Sequence, residues 1–341
     1  MDKEFRVAVV GATGLVGETM ISVLEEREFP VSQLYALASE RSVGRGASFR
    51  GRNVPVRELK GFDFSQCDFA FFSAGAAVSR SYAPQAVSAG CLVIDNTAEF
   101  RYREDVPLVV PEVNPQALAG IGTSGLIANP NCSTIQLVVA LKPLHDAAHI
   151  ERVDVATYQS VSGAGREALE ELARQSISAL SGKGPVELES GMQQLAFNCI
   201  PHIDEFQDNG YTREEMKIVW ETRKILAEPA LRVNATAVRV PVFYGHSEAV
   251  HIETRRKITA AQARALLEKA PGVAVIDEHQ PGGYPTAVTE AANHDTVYVG
   301  RIREDMSYER GLDLWIVADN IRKGAATNSV QIAEILVGEY L

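Results

Sequence analysis

Six residues rich in apolar and β-branched side chains, Phe5 to Val10 (FRVAVV), run straight into Gly11-Ala12-Thr13-Gly14-Leu15-Val16-Gly17. A helical stripe of Met20, Ile21, Val23 and Leu24 follows. A strand, a glycine loop and a helix in that order admit few folds. The glycines let a backbone approach a pyrophosphate, and the helix N-terminus attracts its charge, so the segment reads as the start of a dinucleotide-binding α/β unit. The spacing is GxxGxxG rather than GxGxxG, and a purely structural strand-to-helix turn is the alternative.

The next strand is expected at Gln33 to Leu37, followed by Ser39-Glu40-Arg41-Ser42. An NAD site places an acidic residue at this strand end to hold the ribose hydroxyls. Here a hydroxyl and the Arg41 guanidinium suit a 2′-phosphate, so NADP is the expected cofactor. Glu40 either faces solvent or meets a ribose and admits NAD. Two further buried strands, Asp68 to Phe72 and Cys91 to Ile94, end in Ser73-Ala74-Gly75 and Asp95-Asn96-Thr97. Ligands in parallel sheets bind beyond such ends, which makes Ser73 and Gly75 candidate contacts. Arg101 is the first cation at that edge, for an anion or a surface ion pair.

Cys132 lies in Asn129-Pro130-Asn131-Cys132-Ser133-Thr134, before a long apolar run. Pro, Asn and Ser are helix-start residues, so Cys132 is expected at a helix N-terminus, where the dipole and free amides favour a thiolate and can hold an oxyanion. A small buried hydrophobe is the competing reading. Beyond it, Arg152 to Val161 alternates like a strand and places Gln159 near its end, with a helix from Glu167 to Leu180. Residues 181–212 read as a connection with a short helical patch. A helix over 213–226 sets Glu214 and Lys217 on one face, as an ion pair or as binding groups. Val233 to Phe243 reads as one strand with Arg239 on an otherwise apolar face, a position that asks for a partner such as a carboxylate. His246 falls in a Gly-containing loop, where it is a general acid/base or a structural histidine. A helix over 258–269, strands at Asp295 to Glu304 and Leu312 to Asp319, and a closing helix from Ile321 complete the chain.

The 341 residues carry a net charge of -11, which argues against nucleic-acid binding, and no apolar run reaches membrane-spanning length. An N-terminus without a signal-peptide core and four scattered cysteines without metal-ligand spacing point to the cytoplasm and to no metal.

A nicotinamide cofactor beside a helix-start cysteine suggests acyl-thioenzyme chemistry. The chain resembles the bacterial aspartate-semialdehyde dehydrogenases along essentially its whole length. GATGLVG (11–17), SERS (39–42), FFSAG (71–75), NPNCSTIQ (129–136), TYQSVSGAG (157–165), EEMK (214–217), RVPVFYGHS (239–247) and DNIRKGAATNSVQIAE (319–334) carry the resemblance.

It implies an α/β protein with a Rossmann-like NADP-binding domain (1–130), an α+β catalytic and dimerisation domain (131–320), and a C-terminal helix (321–341) packed back on the first. It further implies Cys132 as nucleophile, His246 as acid/base, Gln159 as substrate-orienting residue, and Asn131 with the Cys132 amide at the oxyanion. Arg239 would hold the α-carboxylate, Glu214 the α-amino group, and Arg101 and Lys217 the phosphate. Gly11, Thr13, Gly14, Leu15, Val16, Gly17, Arg41 and Ser42 would cradle the adenosine phosphates, with Ser162, Gly163 and Asn320 near the nicotinamide.

The implied reaction is NADPH-dependent reduction of L-aspartyl-4-phosphate to aspartate semialdehyde and phosphate, in lysine, methionine and threonine biosynthesis, by a homodimer or tetramer. One acid and several bases on an acidic protein suit a substrate with one ammonium, one carboxylate and one phosphate. An N-acetyl-glutamyl-phosphate reductase, whose substrate has no free ammonium for Glu214, and a non-catalytic NADP-binding homologue are the rival readings.

Overall fold

The computed structural model describes residues 3–121, 125–182 and 193–340. The chain divides into two compact units, Met1–Asn131 with Gly324–Leu341, and Cys132–Lys323.

The first unit is built on a seven-stranded sheet. Strands β1 (Phe5–Val10) and β2 (Val31–Ala38) pair in parallel, with α1 (Leu15–Glu26) as the crossover. Strand β1 and the second half of β2 are apolar runs rather than alternating ones, as expected when helices cover both faces. A hairpin of β3 (Gly46–Phe49) and β4 (Arg52–Glu58) extends the sheet beyond β2, and β5 (Phe69–Phe72) lies on the other side of β1. Helix α2 (Ala76–Ser88) then leads to β6 (Leu92–Asp95) and β7 (Leu126–Ala128), giving the order β3-β4-β2-β1-β5-β6-β7. The hairpin and β7 were not legible in the sequence. The first is polar and mostly exposed at a sheet edge, and the second has only three residues.

The second unit opens with α3 (Cys132–Ala148), of which twelve residues are buried. Strand β8 (Ile150–Gln159), helix α4 (Arg166–Leu180), helix α5 (Arg213–Ile225) and strand β9 (Arg232–Arg239) follow. Among the described residues between α4 and α5 there is no helix; the short helical patch expected in 181–212 falls partly on residues outside those described. The expected strand to Phe243 stops at Arg239, because Pro241 has no amide to continue a ladder.

The larger correction concerns β10 (His246–Thr254), the central strand of the sheet, which puts His246 at a strand start rather than in a loop. Buried His246, Ser247 and Glu248 hide its apolar pattern. Helix α6 (Ala260–Leu267) and strands β11 (Val273–Val275), β12 (Val297–Glu304) and β13 (Gly311–Ala318) complete a sheet of order β11-β12-β13-β10-β8-β9. Helix α3 packs against β8, β10, β12 and β13, and α5 against β9 and α3.

The chain ends in α7 (Thr327–Ile335), flanked by wider helical turns at Arg322–Ala326 and Leu336–Tyr340. Ala326, Val330, Ile332, Ala333 and Leu336 join the buried core of the first unit, and Arg27 forms a bidentate pair with Glu334 at 2.7 Å.

Candidate active site

Register in the second sheet assembles the polar residues. Gln159 lies opposite Arg239 across β8 and β9, and His246 opposite Ala318 across β10 and β13. Ser247 pairs with Tyr158, so the next position outward sets His246 beside Gln159. Three of the expected residues thus form one row across neighbouring strands, at the sheet edge where β8 and β9 end.

His246 is fully buried. Its Nδ1 accepts the backbone N–H of Ser160 at 3.1 Å, which leaves the ring proton on Nε2. Nε2 has no hydrogen-bond partner among the described residues, and an added Cβ at Gly163 would lie 3.5 Å from it. Burial, then the Arg239 charge, push the imidazole down to about 3. The resting ring is therefore a neutral Nε2–H donor.

Arg239 donates from Nη1 to the Ser160 carbonyl at 2.7 Å. Burial lowers its pKa, while the Glu214 carboxylate and, when ionised, the Cys132 thiolate favour its charge. Glu214 is itself buried. One of its oxygens accepts from Gln159 Nε2 at 3.0 Å and the other from Lys217 Nζ at 2.9 Å. Gln159 in turn accepts from Thr157 Oγ1 at 3.2 Å. Lys217 is no solvent-facing ion pair: it also donates to Asp204 at 2.6 Å. Burial works against its charge, but Glu214 and Asp204 outweigh it and raise its pKa.

Cys132 is the first residue of α3, half-buried and outside any disulfide. Ser162 and Asn320 form a buried clamp: Asn320 Oδ1 accepts from the Gly245 amide at 3.0 Å and from Ser160 Oγ at 3.1 Å, and its Nδ2 donates to Ser162 Oγ at 3.0 Å. Asp204, Ser160 and Thr157 escaped the sequence reading. Thr157 and Ser160 lie within the TYQSVSGAG segment but show their contacts only in the folded register, and Asp204 is a loop residue that reaches the site through Lys217.

The dinucleotide cradle belongs to the first unit. A cleft of about 540 Å³ at the ends of β1, β2 and β5 is lined by Gly11, Thr13, Gly14, Ser39, Glu40 and Ser73, among others. A Cβ on Gly17 would lie 2.1 Å from the Gly11 carbonyl oxygen, and Gly11 has φ +89°. Helix α1 begins at Leu15 after Gly14 with no side-chain cap, so its first amides stay available to a pyrophosphate. Gly75 likewise precedes α2 without a side-chain cap. These features fit a bound dinucleotide. Val16 lies in the first turn of α1. Thr13 Oγ1 donates to Ser42 Oγ at 3.2 Å, and the Ser73 hydroxyl donates to the Val10 carbonyl at 3.1 Å.

Arg41 is exposed and makes no ion pair among the described residues. Glu40 rather than Arg41 lines the cleft, as does Lys60, a cation that the sequence reading missed. Arg101 is buried in this unit and donates to the Asn96 carbonyl at 2.7 Å, and Asn131 is buried at the unit's end. The geometry within the second unit therefore brings together Gln159, Glu214, Lys217, Arg239 and His246.

Among the described residues, one grouping has metal-ligand geometry. His145, His149 and Glu228 present ligand atoms within 4.8 Å of one another. His145 Nδ1 accepts the Ile150 amide at 3.2 Å, so Nε2, 3.5 Å from Glu228, carries the proton that a metal would have to replace. The polarity suits a hydrogen-bonded pair.

Residues 6–121 match the family described as semialdehyde dehydrogenase, NAD binding domain, and residues 141–323 the semialdehyde dehydrogenase dimerisation domain. An aspartate-semialdehyde dehydrogenase of Legionella pneumophila is 60% identical over all of this chain and 98% of its own length. Aspartate semialdehyde dehydrogenase II of Vibrio cholerae, solved in complex with ASA, is 56% identical with a TM-score of 0.97 over the whole of both chains. The Candida albicans enzyme, solved with NADP, is 27% identical with a TM-score of 0.75, covering 98% of both chains. The chain belongs to the aspartate-semialdehyde dehydrogenase family.

Proposed function

We propose that this protein catalyses the NADPH-dependent reduction of L-aspartyl-4-phosphate to aspartate 4-semialdehyde and phosphate, in the biosynthesis of lysine, methionine and threonine. The observation that carries the reading is a pair of opposite charges, the partly buried Arg239 in one row with Gln159 and His246, and the buried Glu214 joined to that row through Gln159. An α-amino acid presents an ammonium and a carboxylate, and these two groups match them. A substrate with an acylated nitrogen would bring no ammonium to Glu214, which disfavours N-acetyl-glutamyl phosphate.

The Cys132 thiolate, favoured by the helix start, attacks the acyl carbon. The oxygen charge that develops is held by the Cys132 amide, Asn131 and the Nε2–H of His246, and loss of phosphate leaves a thioester on Cys132. Arg101 and Lys217 bind the phosphate, Lys217 exchanging a carboxylate partner for it. NADPH supplies the hydride that reduces the thioester carbon. Collapse of the tetrahedral oxyanion on Cys132 then releases the aldehyde and restores the thiolate, so this step needs no proton from His246. The residues lining the glycine-loop cleft, with Arg41, Ser42 and Lys60, hold the adenosine end, and Ser162, Gly163 and Asn320 are assigned to the nicotinamide end.

A homodimer is supported by the dimerisation-domain match and by partly exposed Tyr158 and Tyr284 on the second unit. A cytoplasmic enzyme is in keeping with the absence, among the described residues, of a helix long and apolar enough to cross a membrane. The test is NADP+ reduction with aspartate semialdehyde, with and without inorganic phosphate. Turnover that requires phosphate and fails with N-acetylglutamate semialdehyde is expected. Tight NADP+ binding with no turnover on either aldehyde points to a non-catalytic homologue.

A further inference from the structure

Glu248 is a buried carboxyl that the chemistry above does not use. It follows His246 by two residues in β10, so both side chains face one side of the sheet, roughly 6.6 Å apart along the strand. Its register partners are Thr157 and Ile316, and all three are fully buried. Gln136 follows Cys132 by four residues in α3, about one helical turn further in, and is also fully buried. Helix α3 packs on β10. Cys132 and His246 therefore form an outer tier, and Gln136 and Glu248 the tier behind it.

Neither oxygen of Glu248 and neither amide atom of Gln136 has a hydrogen bond of ordinary geometry among the described residues. Gln136 still stands near enough to favour the ionised carboxyl, against a burial that pushes Glu248 well above the usual carboxylate range. An ionised carboxylate here has no cation to pair with on β8, β13 or α3, where its neighbours are Thr157, Ile316 and Gln136. Burying polar groups without hydrogen bonds of good geometry is costly, and an apolar pair of the same volume would avoid that cost. The presence of such a pair directly behind the Cys132 thiol asks for a reason.

We propose that Glu248 and Gln136 form a positioning pair that aligns the first turn of α3 with the start of β10 and so sets how Cys132 is presented. Neutrality matters because a carboxylate one turn inside α3 would oppose the field that favours the thiolate. The inference rests on the assignment of Cys132 as nucleophile, and the test separates the two.

In a Cys199→Ser background, which removes the exposed thiol and leaves Cys67 and Cys91 buried, the rate of iodoacetamide alkylation reads Cys132 directly. Glu248→Gln, Glu248→Leu, Gln136→Leu and the double Leu variant are compared by alkylation rate, kcat, KM, NADPH dissociation constant and thermal midpoint. Glu248→Gln is expected within about threefold of wild type. Each single Leu variant should lower kcat and alkylation about tenfold with NADPH binding unchanged, and the double variant should be no worse than the poorer single. Three results overturn the proposal: Glu248→Gln as impaired as Glu248→Leu, multiplicative losses in the double variant, or a lowered thermal midpoint with alkylation unchanged. Wild-type protein without turnover defeats the functional reading alone, since the alkylation cycle still measures the pair.

Discussion

Burial and the Arg239 charge depress the His246 imidazole from its ordinary 6.5 to about 3. A depressed pKa means that folding disfavours protonation, so this contribution to stability is whole above pH 6.5 and drains away as pH falls from 6.5 towards 3. Denaturant midpoints of the wild type should fall across that window, and those of His246→Asn should fall less; parallel curves place the titration elsewhere.

The same ring, with Nδ1 occupied by the Ser160 amide, donates rather than accepts. In His246→Asn, kcat should drop about a hundredfold or more, while the pH dependence of Cys132 alkylation stays put. A thiol titration moved upward by a full unit restores the histidine as the base that generates the thiolate. Arg239→Lys should raise the KM for aspartate semialdehyde about ten- to a hundredfold with NADP+ binding unchanged, because a point charge cannot hold both the Ser160 carbonyl and a substrate carboxylate. Equal loss of both would make Arg239 a structural residue.

Glu214 and Lys217 ride on α5, whose start is fixed by a capping box. Thr212 Oγ1 accepts the Glu215 amide, and Glu215 returns a bond to the Thr212 amide at 2.7 Å. The other oxygen of Glu215 accepts the Ala237 amide at 3.0 Å, which ties the helix start to the strand that carries Arg239. Thr212→Ala should therefore cost about 0.5–2 kcal/mol in chemical denaturation and also raise the substrate KM. A stability loss with KM untouched would show that the helix start is set without its cap.

Helix starts of this kind were legible because capping and turn chemistry are local: Cys132 at the head of α3 and the glycine turn that leads into α1 could be read directly. The register that seats His246 beside Gln159 is not local. The strand bearing His246 was missed because its buried polar residues break the alternation that a strand is recognised by. The Asp204 contact to Lys217 was hidden for a related reason: no periodicity links a loop residue to a helix thirteen positions on.

At the scale of the molecule, the order of a parallel-sheet unit followed by a mixed-sheet unit could be read from strand and helix periods. The β3–β4 hairpin could not, because an exposed polar edge carries little hydrophobic signal. The core of the first unit includes five buried residues from Ala326 to Leu336, more than two hundred positions from the strands that they cover. A chain ending at Lys323 should leave that core open and yield protein that aggregates or melts without cooperativity, as read by calorimetry. A sharp two-step melt in the truncated chain would show that the helix is dispensable.

The split origin of the first unit also sets an order of events during synthesis. Residues 132–323 are contiguous, so the second unit has every part it needs while the ribosome is still working on the tail. The first unit, although begun first, lacks a wall until residues 324–341 have been translated and have left the exit tunnel. Its apolar sheet must wait in the growing chain, exposed to chaperones and to neighbouring nascent chains, for the whole time that the rest is being made.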